Sequence, residues 1–103
     1  MRIGLLADTH DRVPAIDALV REFLNRDVTF VLHAGDHCSP FALKPFMDHG
    51  VAVAGVFGRN DGDREGLTAA AAQGMGIELF EAPHALKVGE HKVLLLHDIG
   101  DVG

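Results

Sequence analysis

The feature that most constrains this chain is its rhythm. Strand-sized apolar runs alternate with segments of helical period, and most of the runs end in polar residues. Residues 2–7 (RIGLLA) read as a strand. Residues 14–26 (PAIDALVREFLNR) read as a helix, because Pro14 suits a first turn and Ile16, Leu19, Val20, Phe23 and Leu24 fall on one face. A second strand is expected at 28–33 (VTFVLH), a short helix at 40–49 and a third strand at 51–57 (VAVAGVF). An alanine-rich helix at 63–74, stopped by Gly74 and Gly76, leads into a strand at 77–81 (IELFE). Such alternation implies an α/β domain with a parallel sheet covered by helices.

The rhythm then changes. The segments HALKV and KVLLLH read as two strands of a hairpin joined by Gly89-Glu90-His91. Val93, Leu94, Leu95 and Leu96 form an unbroken apolar run, expected of a strand covered on both faces. The sequence then ends at HDIGDVG, with no closing helix. The expectation is a single, incomplete domain over 1–103, or one completed by a second copy in a homodimer.

Bulk properties narrow the function. A chain of 103 residues makes one small domain. No apolar run is long enough to span a membrane. The start, MRIGLLADTH, turns acidic by residue 8 and has no cleavage pattern, so no signal peptide is expected. A net charge of −6 disfavours a nucleic-acid polymer as partner and suits cation binding. The single cysteine, Cys38, excludes an internal disulfide and fits a reducing cytoplasm; it reads as a small buried hydrophobe.

Chemistry-bearing residues collect at the carboxyl ends of the expected strands, where open α/β sheets bind ligands. Strand one ends in Asp8-Thr9-His10, strand two in Gly35-Asp36, strand three in Gly58-Arg59-Asn60-Asp61 and the last in His97-Asp98. If the strand direction continues, Asp8 and His10 point the same way. Their mixed oxygen and nitrogen donors suit Mn, Fe, Co, Ni or Zn rather than Ca. Asp36 can bridge two such ions, because one carboxylate offers two oxygens. Two metals about 3.5–4 Å apart serve phosphoryl displacement. Any one Asp at a strand end is more often a cap or turn former. The reading gains weight because Asp8, His10, Asp36 and His97 arrive at one rim. His33, His37, His49, His84 and His91 read as surface or satisfied core residues. A dehalogenase-type phosphatase needs Asp where His10 stands, and a receiver domain needs its acceptor Asp after strand three. ADTHDR carries no glycine, so no phosphate-binding loop follows strand one.

Asp8-Thr9-His10, HAGDH at 33–37, VFGRNDGD and a strand ending in His97 together resemble the calcineurin-like metallophosphoesterases, in particular the small bacterial and archaeal phosphodiesterases. The resemblance implies a layered αββα sandwich, here truncated at its C-terminal part. It implies two divalent transition-metal ions (Mn, Ni, Fe or Zn, with Mn favoured). Asp8, His10 and Asp36 would hold the first ion; Asp36, Asn60 and His97 would hold the second. A metal-bound hydroxide would attack phosphorus with no covalent intermediate. The implied partner is a small phosphoester, most naturally a phosphodiester.

Three departures accompany the resemblance. The family's last block, Gly-His-Thr-His or similar, lies beyond residue 103. Aligned without gaps, Arg59 falls on the ligand Asn, and a guanidinium cannot ligate a metal. Either the loop shifts and Asn60 ligates, or Arg59 stands in for the second cation at Asp36 or a phosphate, or the chain is a catalytically impaired remnant. Asn60 in turn falls where some members carry a histidine that protonates the leaving group. Asp61 is expected to brace this loop by hydrogen bonds. Asp11 and Asp98 are expected to cap turns.

Overall fold

The computed structural model describes residues 2–10, 12–37, 40–58, 61, 64–73 and 76–102. Four strands form a parallel sheet in the order β1-β2-β3-β4: Gly4–Leu6, Phe30–His33, Ala52–Val56 and Ile77–Phe80. Three helices connect them: α1 at Val13–Asn25, α2 at Lys44–His49 and α3 at Arg64–Gln73, with a 3₁₀ turn at Pro40–Leu43 leading into α2. Two further strands, β5 at His84–Val88 and β6 at His91–Leu95, pair antiparallel in a separate sheet.

Strand alternation splits the core in two. On one face of the parallel sheet, Val31 and Val53 pack with Ile16 and Val20 of α1, Phe46 of α2 and Leu67 of α3. Each of these large apolar side chains contributes about 1.5–3 kcal/mol by leaving water. On the other face, Leu32, Ala54 and Val56 meet Val88 and Leu95 of the hairpin. The described residues thus stack as helices, parallel sheet and antiparallel sheet. This is the layered α/β architecture expected from the sequence.

The differences from expectation lie at the ends of elements. β1 and β2 are shorter than the runs 2–7 and 28–33, the flanking residues lying outside the paired registers. His91 belongs to β6, paired with Val88, so the hairpin turn is Gly89–Glu90 alone. β6 stops at Leu95, and a 3₁₀ turn at Ile99–Val102 follows it where no closing helix was expected. The run 93–96 is not covered on both faces. Val93 and Leu95 face the parallel sheet, whereas Leu94 points away and is 55% exposed. A two-stranded sheet packed on one side has one inner face, and the period of two sends Leu94 to the other.

What positions the site is the register of the parallel sheet. Leu6 lies opposite His33, and His33 opposite Gly55. The loops that follow β1, β2 and β3 therefore leave the sheet side by side.

Candidate metal centre

The first two of these loops are tied together by their backbones. Ala34 N–H donates to the Leu6 carbonyl at 2.8 Å, Asp8 N–H to Gly35 at 2.9 Å and His10 N–H to Asp36 at 3.0 Å. Asp8, His10 and Asp36 all carry positive φ, at 54°, 52° and 62°. Asp and His enter this left-handed region more readily than other side chains, yet such backbone still costs on the order of 1–3 kcal/mol per residue. The three side chains converge there: each offers a ligand atom, and those atoms lie within 4.8 Å of one another. The sequence expectation reached this convergence by extending strand one through His10. The strand in fact ends at Leu6, and left-handed turns bring Asp8 and His10 together.

The Asp36 carboxylate is the buried member of this group, at 4% exposure. Gly58 is packed against it. A Cβ on Gly58 would lie 2.5 Å from Asp36 N and would collide with Asp36 Oδ1, so only glycine lets the third loop come this close. Gly35 has φ 107° and likewise faces the Gly58 backbone. Asp61, also buried, fastens the two loops: its Oδ2 accepts from Asp36 N at 2.9 Å and from Gly58 N at 2.6 Å.

His97 approaches from beyond β6. Its Nε2 lies 3.5 Å from Asp36 Oδ2, and its Nδ1–H donates to the Ala34 carbonyl at 2.8 Å. A metal-binding histidine commonly donates its other ring N–H to a carbonyl in this way, which fixes the ring's orientation. The turn behind it is fixed as well, because Asp101 Oδ2 accepts from the backbones of His97 and Asp98 at 2.9 and 3.0 Å. Asp98 Oδ1 accepts from Gly100 N at 2.9 Å, a turn contact. Asp36 thus neighbours both the Asp8–His10 pair and His97. A cleft of about 170 Å³ opens beside Gly58 and His97, bordered by Phe57, Arg64 and Glu81. Arg59 and Asn60 lie outside the described residues, as do Asp11 and Cys38.

Two histidines read from sequence as ordinary sit directly under this rim. His33 is fully buried; Gly35 N–H donates to its Nδ1 at 3.1 Å and Thr9 Oγ1 lies 2.9 Å from its Nε2. Burial, reinforced by the neighbouring His37, pushes the His33 pKa down to about 2, so the ring is neutral. His37 packs against it with ring centroids 3.9 Å apart. Its Nε2–H donates to the Val56 carbonyl at 3.1 Å, while its buried Nδ1 has no hydrogen-bond partner among the described residues. His37 is therefore not the fully satisfied core histidine expected, and burial lowers its pKa too. The signal for both was their position flanking Ala34-Gly35-Asp36; a lone histidine gives no measure of burial. The other three meet the expectation more simply. His49 pairs with Asp17 at 2.8 Å, His84 stacks on Phe80 and His91 is exposed.

The donor set fits a divalent transition metal. It offers two carboxylates and two imidazoles, and the carboxylate at its centre is mostly removed from water. Buried carboxylates need paired charge or a cation, and mixed oxygen and nitrogen donors select the borderline metals.

Comparison with known proteins agrees with this chemistry. The pattern of the calcineurin-like phosphoesterase superfamily domain matches residues 1–102. Phosphodiesterase MJ0936 of Methanocaldococcus jannaschii is 38% identical over 64 residues, covering 62% of this chain and 39% of that protein. The solved structure of an archaeal phosphodiesterase superposes with a TM-score of 0.81 at 27% identity, over 91% of this chain and 57% of the other. Yfce, a phosphoesterase from E. coli, shares the fold with a TM-score of 0.69 at 12% identity, over 96% of this chain and 58% of its own. The chain thus spans between about two-fifths and three-fifths of these relatives' lengths.

Proposed function

This chain belongs to the calcineurin-like phosphoesterase superfamily, and from that premise we propose that it serves metal-dependent hydrolysis of small phosphodiesters at a dinuclear centre. The observation that carries the reading is the convergence of Asp8, His10 and Asp36, whose ligand atoms lie within 4.8 Å of one another, with His97 Nε2 3.5 Å from Asp36 Oδ2. In this proposal Asp8, His10 and Asp36 hold one ion, while Asp36, His97 and Asn60 hold the second. Among Mn, Ni, Fe and Zn, manganese is favoured by the family resemblance, since a mixed carboxylate and imidazole set accepts all four. Bound there, divalent ions supply Lewis acidity toward a phosphoryl oxygen and make a water nucleophilic near neutral pH.

The protein's own groups set up that chemistry. Asp61 holds the Asp36 and Gly58 backbones in place, and the Ala34 carbonyl orients His97. The net charge of −6 disfavours a polyanionic polymer and leaves a small phosphoester as the substrate class. With Asn60 as a ligand, the next residue is Asp61, whose Oδ2 already accepts from the Asp36 and Gly58 backbones, so no histidine follows the ligand to protonate the leaving group. Aryl phosphodiesters are therefore expected to turn over much faster than alkyl ones. Equal rates on the two, measured with matched esters, would sink that assignment.

A second reading rests on Arg59, which falls at the family's ligand Asn and cannot bind a metal itself. With Arg59 facing Asp36, the second ion is lost and catalysis is impaired. Equilibrium dialysis of the metal-stripped chain against manganese, with elemental analysis, separates the two. Two ions per chain support the dinuclear proposal, and a single ion supports the impaired one. Asp36→Asn is expected to abolish binding at both positions; ions retained by that variant would overturn the ligand assignment.

A further inference from the structure

The three proposed first-ion ligands sit on backbone that does not hold its conformation by local preference, since Asp8, His10 and Asp36 are all left-handed. Two backbone hydrogen bonds join the loops at Asp8 and His10. Between those two bonds stands Thr9. Its Oγ1 reaches 2.9 Å to His33 Nε2, a ring carried on β2 rather than on either loop.

The direction of that bond follows from the other side of the ring. Gly35 N–H donates to His33 Nδ1, so Nδ1 is the acceptor and the proton of the neutral imidazole is on Nε2. Nε2–H therefore donates to Thr9 Oγ1. The same ring accepts from the second loop and donates to the first. His33 is fully buried, and its backbone is paired with Leu6 on one side and Gly55 on the other, so the ring sits on an interior strand of the sheet.

The geometry points to Thr9 and His33 as a positioning clamp that fixes the spacing of the Asp8–His10 loop and the Asp36 loop before any ion arrives. Neither residue is among the proposed ligands. They act through the ligands, as supporting hydrogen bonds do in metal sites generally. The inference rests on the metal-binding reading of Asp8, His10 and Asp36. The alternative is that the Thr9–His33 bond merely satisfies a buried ring, with no consequence for the ligand loop.

Thr9→Val tests this, because it removes the hydroxyl at nearly constant shape and leaves the buried His33 in place. Thr9→Ser restores the hydroxyl. Two quantities are read on each 103-residue chain: amide hydrogen exchange at Asp8 and His10 in the metal-free protein, and manganese affinity by calorimetric titration. Thr9→Val is expected to speed exchange at both amides and to weaken the first ion by about 10–100-fold, as loss of such supporting contacts does. Thr9→Ser is expected to recover most of both. Exchange at Asp8 and His10 unchanged in Thr9→Val overturns the clamp, and so does unchanged affinity in a protein that binds the ion. If the unaltered chain binds no manganese while Thr9→Val still loosens Asp8 and His10, the clamp stands and the metal reading falls.

Discussion

At the scale of single residues, the site depends on small atoms as much as on ligands. Gly58 contributes no side chain, yet a methyl group there would strike Asp36. Gly58→Ala is expected to cost about 1–3 kcal/mol by forced displacement of the third loop, and to weaken metal binding by turning the Asp36 carboxylate. Urea unfolding and manganese titration read the two effects; an alanine variant matching the unaltered chain in both would show that the approach is looser than it stands here. Asp61 belongs to the same class. As expected from the sequence, it makes hydrogen bonds that hold its loop, and the structure adds the identity of the donors, Asp36 and Gly58. Two buried N–H groups rely on one carboxylate oxygen, a dependence that could not be read from a string in which Asp61 is simply the next acid after Asn60.

At the scale of elements, the period of each segment was legible and its ends were not. Helix α1 starts and stops within a residue of its expected bounds, because Pro14 and the apolar spacing both speak for it. Strand β6 was expected to be covered on both faces because four apolar residues run together. Only tertiary packing shows that Leu95 is 8% exposed and Leu94 55%. Leu95→Lys is accordingly expected to cost several kcal/mol, since a lone buried ammonium has no compensation, while Leu94→Lys should stay within about 0.5 kcal/mol as a surface change. Thermal unfolding of the two variants checks this, and equal losses would mean that both sides of β6 are covered in solution.

At the scale of the whole molecule, the buried histidines couple stability to pH. The folded His33 ring stays neutral down to about pH 2, whereas in the unfolded chain it takes up a proton near the usual histidine value of about 6.5. Between those values the unfolded state binds more protons. Stability is therefore fully present above about pH 6.5 and is lost as pH falls below it, by about 1.4 kcal/mol per pH unit from this ring alone. His37 acts in the same direction. Urea unfolding of the metal-free chain between about pH 7.5 and 5 measures the slope, and a flat profile would show that His33 is protonated in the folded state. No helix among the described residues is long and apolar enough to cross a membrane.

Hydrophobic period and motif order carry the order of elements, the α/β class and the rim on which Asp8, His10, Asp36 and His97 gather. These follow from period and from the rule that residues just after parallel strands share one edge of the sheet. Tertiary structure decided the rest. The left-handed turns at Asp8, His10 and Asp36 depend on bonds between loops some 25 residues apart. The tautomer of His33 depends on Thr9 and Gly35 together. The exposure of Leu94 depends on which face of the hairpin finds a sheet. In each case the deciding partner is remote in sequence, and neither propensity nor spacing carries its position.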